Sequence, residues 1–314
     1  MRASAYNRRG MMKNKKAIGV SVFFVLLICQ PAVAQVNVIL GVLEDTPGDA
    51  FGQPNVRDVR VIFKKIGDRW QPYQADCRDQ ECLGKAPAGF PQEVTWTIAF
   101  DGRNLGQITS RAPGKFTMYS RIGQQVITSK MPVPTVGKEA VEFGGFLDAR
   151  VYRPLIAVSQ PNFRDPDVWK PVVLNSPAAI TGLHKAFRTT FPKLCSIPQN
   201  ETDTPPPFDY HEEDIKLVKS YASKSGWDLA EMHIDAMLCD DTEAGFGLYD
   251  SWFAVDPAGS AHYLGSGMWL VDAGDYDSDG KSELVFSINS DNRGGYRIYY
   301  DDFKKSAEFE FSYH

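Results

Sequence analysis

The stretch Asp275-Tyr276-Asp277-Ser278-Asp279-Gly280-Lys281-Ser282-Glu283 decides how the rest of the chain is read. Three Asp residues at alternating positions, a Gly, and a Glu four residues after the last Asp form the pattern of a loop wrapped around one hard cation. Calcium takes about six to eight oxygens from carboxylates, backbone carbonyls and water. Counted from Asp275, loop positions 1, 3, 5, 7 and 9 are Asp275, Asp277, Asp279, the Lys281 carbonyl and Glu283. Gly280 supplies the sharp turn. Four acids packed this closely repel one another without a cation. A solvated Asp-Gly turn between two strands is the competing reading.

An EF-hand does not fit. Its loop closes with a Glu at position 12, and here that position is Phe286. Residues 267–271 before the loop and 284–288 after it are short, apolar and rich in β-branched or aromatic side chains, which predicts strands. In this setting Ala273-Gly274-Asp275-Tyr276-Asp277-Ser278-Asp279-Gly280-Lys281-Ser282-Glu283-Leu284-Val285 resembles the calcium loops of FG-GAP or VCBS repeats, the integrin-like blades of β-propellers. The resemblance covers only a short part of the chain. It implies calcium held by the acidic positions, between the outer strand of a blade and the next one.

A second segment overlays the first without a gap. Gly145-Phe146-Leu147-Asp148-Ala149-Arg150-Val151-Tyr152-Arg153-Pro154-Leu155-Ile156-Ala157-Val158-Ser159 matches the spacing from Gly274 to Ile288. Phe146, Arg150 and Pro154 stand where Asp275, Asp279 and Glu283 do, so only Asp148 keeps a ligand position. This is the pattern of a blade without its metal, and chance likeness between two apolar strand starts competes with it.

The remainder reads as many short strands separated by Gly, Pro and Asp turns. Strands are expected at 36–44, 56–65, 94–100, 105–110, 116–122, 125–128, 172–174, 227–234, 251–255, 261–264, 296–300 and 307–312. Residues 178–187 are expected to form a short helix, and 215–220 a strand or a helix after the acids Glu212, Glu213 and Asp214. The class is all-β, with sandwich and barrel among the architectures that fit. The acidic loop and its overlay favour a β-propeller, and a chain of this length accommodates roughly five to seven blades with irregular insertions. Residues 35–314 are expected to form one such domain.

Residues 1–34 read as a cleaved signal peptide. Arg8, Arg9, Lys13, Lys15 and Lys16 precede an apolar run at 17–29, and Ala32-Val33-Ala34 offers the small residues of a cleavage site. The run is too short for a permanent membrane span. The full chain carries a net charge of −5; the first 34 residues hold six Arg or Lys and no acid, so the remaining 280 residues carry −11. That balance argues against nucleic acid and anionic lipid as partners. Export leaves four cysteines, and among three pairings the favoured one joins Cys77 to Cys82 and Cys195 to Cys239.

Catalytic signals are thin. His184, His211, His233, His262 and His314 are scattered, with no His-x-x-x-His, no Gly-x-Ser-x-Gly and no Gly-rich phosphate loop. The runs at 211–214 and 239–243 carry enough acid for a second metal, but solvated loops explain them as well. Trp96, Trp169, Trp227, Trp252 and Trp269 suit strand cores better than a sugar-binding face. The sequence therefore points to a secreted or periplasmic, monomeric, calcium-stabilised binding module for a protein or glycan ligand, with a propeller-based hydrolase of polysaccharide or another exported substrate as the alternative.

Overall fold

The computed structural model describes residues 38–46, 56–73, 89–114, 121–136, 154–198, 204–239, 250–290 and 293–312. The expected signal peptide, the Cys77–Cys82 pair and residues 145–153 lie outside the described residues.

Strands β1 (Ile39–Thr46), β2 (Val56–Ile66), β3 (Arg69–Pro72), β4 (Glu93–Phe100), β5 (Arg103–Arg111), β6 (Gln124–Ile127) and β7 (Leu155–Val158) form one antiparallel sheet. Its order is β1-β7-β4-β5-β6-β2-β3, and β1 also pairs with β2, so six strands close on themselves as a barrel with β3 attached outside. Closure removes the exposed edges that an open sheet of this size presents. Bulges at Leu40/Gly41 and Ile98/Ala99 bend the staves. Gly41 leaves no room for a side chain, since a Cβ there would lie 2.9 Å from the Arg60 carbonyl and 2.9 Å from Val59. Leu40, Val61, Phe63, Trp96 and Ile98 are among its buried core residues. One polar chain links buried side chains of β4, β5 and β6: Trp96 Nε1 donates to Ser110 Oγ (2.6 Å), which donates to Gln125 Oε1 (2.6 Å), while Gln125 Nε2 donates to the Pro91 carbonyl (2.6 Å). Each buried polar group is thereby satisfied at little cost.

The chain continues through β8 (Trp169–Pro171), the helix α1 (Pro177–Thr190), β9 (Leu194–Cys195), β10 (Pro207–Phe208), β11 (Lys216–Ser223), β12 (Asp228–His233), β13 (Met237–Leu238), β14 (Ser251–Val255) and β15 (Ala261–Ser266). Strands β8, β11, β12, β14 and β15 make a five-stranded antiparallel sheet. Ser176 caps α1, with Pro177 in its first turn, and Ala179, Leu183 and Phe187 line the buried face at a four-residue spacing. Phe187 meets Phe253 of β14 at 6.0 Å between ring centres. Strands β9, β10 and β13 form a small third sheet, tied by the Cys195–Cys239 disulfide.

The last sheet is a simple antiparallel meander of β16 (Met268–Gly274), β17 (Glu283–Ser290), β18 (Arg293–Tyr300) and β19 (Lys305–Ser312). Its Val271, Tyr276, Val285, Tyr296, Ile298, Phe309 and Phe311 share one core with the barrel. On another side, Trp252 of the five-stranded sheet packs edge-on against Phe286 of β17 at 5.2 Å. Tyr296 Oη also donates to Glu44 Oε1 of the barrel (2.6 Å), beside the Arg60–Glu44 ion pair (2.8 Å).

The all-β class holds. The expected array of five to seven blades does not describe these strands, because six of them complete one another's hydrogen bonds in a closed barrel, and a blade is an open sheet. The overlaid segment is corrected on the same ground. Its strand, β7, sits between β1 and β4 as a barrel stave and opens no meander. Two smaller expectations also shift. The strand expected at 172–174 is Trp169–Pro171, where β8 pairs with β11, and Ile122 lies in a turn ahead of β6.

Candidate metal centre

The acidic loop joins the first and second strands of the meander. Gly274 pairs with Glu283 across the base of the loop, so one end of the β16–β17 ladder places Asp275 and Glu283 side by side. Backbone amides then curl the loop around its own carboxylates. Asp279 N donates to Asp275 Oδ1 (3.0 Å) and Asp277 Oδ1 (3.1 Å), Gly280 N donates to Asp275 Oδ2 (2.8 Å), and Lys281 N donates to Asp279 Oδ1 (2.9 Å). Ser278 and Gly280 adopt φ of 61° and 91°, the left-handed backbone such curling requires.

Asp275, Asp277 and Glu283 each offer an oxygen to a group whose members all lie within 4.8 Å of one another. Asp275 and Glu283 are buried, at 0% and 1% exposure. Such a set of hard oxygens could hold a metal ion. Asp279 stands apart from this group, with its side chain 46% exposed. The Lys281 ammonium turns outward to Asp301 (2.8 Å) and Asp302 (2.9 Å), whose hydrogen bonds, and then charges, raise its pKa. Those partners belong to a turn in which Asp301, Asp302 and Phe303 all take positive φ.

Several contributors carry no local sign in the sequence. Trp70 of β3 donates its Nε1 to Glu283 Oε1 (3.1 Å), and the Tyr276 amide donates to Glu283 Oε2 (2.9 Å). Lys65 of β2 forms an ion pair with Asp277 Oδ2 and lies 3.5 Å from Asp279 Oδ2. Asp165 accepts the Asp275 amide on Oδ1 (3.1 Å). Asp167, two residues on, accepts hydrogen bonds from the Ser225 amide, Ser225 Oγ and Ser282 Oγ, anchoring the far side of the loop. The Asp165-Pro166-Asp167 stretch reads in sequence as an ordinary turn.

The electrostatics are those of negative charge gathered away from water. Burial first, then the charges of Asp277 and Asp279, push the Asp275 carboxyl up to about 6, against the pull of the Gly280 amide. Glu283 is raised well above the usual carboxylate range by its burial and by Asp277, with the Trp70 hydrogen bond opposing. Burial alone would lower the Lys65 ammonium, but its hydrogen bond to Asp277 and the charges of Asp277, Glu283 and Asp279 outweigh this and raise it. A divalent ion among these oxygens would reverse the carboxylate shifts by supplying the missing positive charge.

The other acidic runs do not assemble a second centre among the described residues. At 211–214, Asp214 Oδ2 accepts the His211 amide (2.7 Å) in an exposed 3-10 turn. Cys239 is committed to its disulfide, and residues 240–243 lie outside the described ones. Of the histidines, His233 is the most tightly held, with Nδ1 2.6 Å from Asp250 and Nε2 3.0 Å from Asp235. Trp96, Trp169 and Trp252 are core residues, as their strand positions imply.

Comparison of the chain with protein-family models, with curated proteins and with solved structures finds no match.

Proposed function

We propose that this protein is a calcium-stabilised all-β binding module of an oxidising compartment, secreted or periplasmic, and that its acidic loop clips the C-terminal meander to the barrel. The observation that carries this reading is the convergence of Asp275, Asp277 and Glu283 within 4.8 Å at the meeting of two sheets. The role is structural. Glu283 is boxed in by Trp70 and the Tyr276 amide, and Asp275 by the amides of its own loop, which leaves little room for a substrate at the ion.

The FG-GAP likeness is read here as one blade, the four-stranded meander with its acidic loop between strands one and two, packed on a barrel instead of in a propeller ring. The Cys195–Cys239 bridge and the basic-then-apolar start of the chain support an exported setting. A protein or glycan is the ligand class of this reading.

Calorimetric titration of chelator-treated protein with calcium tests it. The wild type binds one ion, and Asp277→Ala weakens binding by about tenfold or more while keeping its β circular dichroism. Absence of calcium binding by the folded wild type rejects the assignment.

A further inference from the structure

We propose that Lys65 is a built-in competitor for the metal: its ammonium takes the cation's place beside Asp277 when no ion is bound, and calcium enters by displacing it. This rests on the calcium reading above and adds to it a control on affinity supplied by the barrel.

The geometry is specific. Lys65 comes from β2, 212 residues before Asp277, and its side chain is only 11% exposed. Its ammonium runs over the faces of Trp70 (5.4 Å) and Tyr300 (5.9 Å), which guide it to the loop. The Asp277 side chain that it meets is itself 5% exposed, and the Lys65 ammonium is the cation that faces Oδ2 of that carboxylate. A carboxylate buried this far from water needs a cation beside it, and Lys65 supplies one.

Charge then argues for exchange. Asp275, Asp277, Asp279 and Glu283 bring four carboxylates, and Lys65 brings one positive charge to them, leaving a surplus that attracts a divalent ion. The Asp277 carboxylate serves both the ammonium and the proposed ion. Two cations sharing it would repel at contact distance, so the ammonium must leave as the ion arrives. Flexible lysine stems permit this, because four rotatable carbons carry the charge out to solvent without moving the strand. Apparent calcium affinity is then the intrinsic affinity multiplied by the fraction of molecules in which Lys65 has left the site.

Two measurements test the exchange. Lys65→Gln removes the competitor and keeps a polar side chain; titration calorimetry should show calcium binding about tenfold or more tighter than wild type, whereas Lys65→Arg, which keeps the charge, should not gain. In the wild type, amine acylation read by mass spectrometry should modify Lys65 faster with calcium than with chelator, since displacement brings the amine into water; this readout needs no variant to fold. Equal affinities for wild type and Lys65→Gln, or unchanged Lys65 labelling in protein shown to bind calcium, overturn the exchange and leave the calcium reading standing. If neither wild type nor Lys65→Gln binds calcium, the calcium reading itself falls, and the exchange with it.

Discussion

Replacing Trp70 with Phe takes one hydrogen-bond donor from Glu283 and little else. Both residues are buried, and the 3.1 Å bond between them joins the outer hairpin of the barrel to the first residue of β17. A lost hydrogen bond to a buried carboxylate costs about 1–3 kcal/mol, the upper end applying while the carboxylate is charged. The smaller ring leaves a void of roughly 40 Å³, worth about 1 kcal/mol at ~24 cal/mol per Å³. Without metal the variant should therefore lose about 2–4 kcal/mol. With calcium bound, the ion supplies the positive charge that Glu283 lacks, and the loss should shrink toward the packing share of about 1 kcal/mol. Urea unfolding followed by far-ultraviolet circular dichroism, in chelator and in saturating calcium, reads both values. An equal loss in the two conditions would refute the placement of Glu283 at the ion.

Three further outcomes follow from the geometry. Cys195→Ser with Cys239→Ser opens a loop of 44 residues, for which chain entropy sets a ceiling of about 4 kcal/mol; urea midpoints with and without reductant should show the wild type falling to the variant's stability only when reduced. Asp279→Ala should weaken calcium binding less than Asp277→Ala does, because Asp279 stands outside the convergent group, and a reversed order in calorimetry would show that the loop closes differently around an ion. The third concerns His233. Burial would lower its pKa, but its bonds to Asp235 and Asp250 prevail and raise it above the usual 6.5. A raised pKa adds stability that is full below 6.5 and fades as pH climbs through the folded-state value. Thermal melts of wild type and His233→Gln should thus differ at pH 6 and converge by pH 9, and a constant gap would deny the histidine its charged partners.

What the sequence discloses is local. The acidic loop, the helix and the C-terminal strands are set by neighbours a few residues away: alternating apolar side chains, Asp and Gly turns, and the Ser176-Pro177 start of α1. Gly280 carries the expected positive φ. What stays hidden depends on distant pairing. Lys65 and Trp70 reach the loop from more than 200 residues away, and in sequence they are simply the end of one strand and the start of another. The barrel is hidden for the same reason, since a strand such as β7 reads alike as a blade edge or a stave until its partners are known. The expectation that Asp279 and Lys281 join the ligands followed a linear count of loop positions. In the structure the Asp279 side chain lies outside the convergent group, while the side chain of Lys281, the residue whose backbone carbonyl is the expected ligand, pairs with Asp301 and Asp302.

The barrel also sets an order of events during folding. Strands β2, β6 and β5 can zip β1 to β4 into a curved sheet, but its two edges wait for β7, which is only four residues long and follows β4 by more than fifty residues. Until that stave arrives, β1 and β4 each present a row of unpaired amides and carbonyls, a template for a neighbouring chain. Ring closure of this kind is slow, because the entropy of a long loop is lost before the new contacts form. The short, wholly apolar Leu155-Ile156-Ala157-Val158 is therefore a kinetic keystone. Its failure to dock would send the chain toward aggregation, well beyond a modest loss of stability.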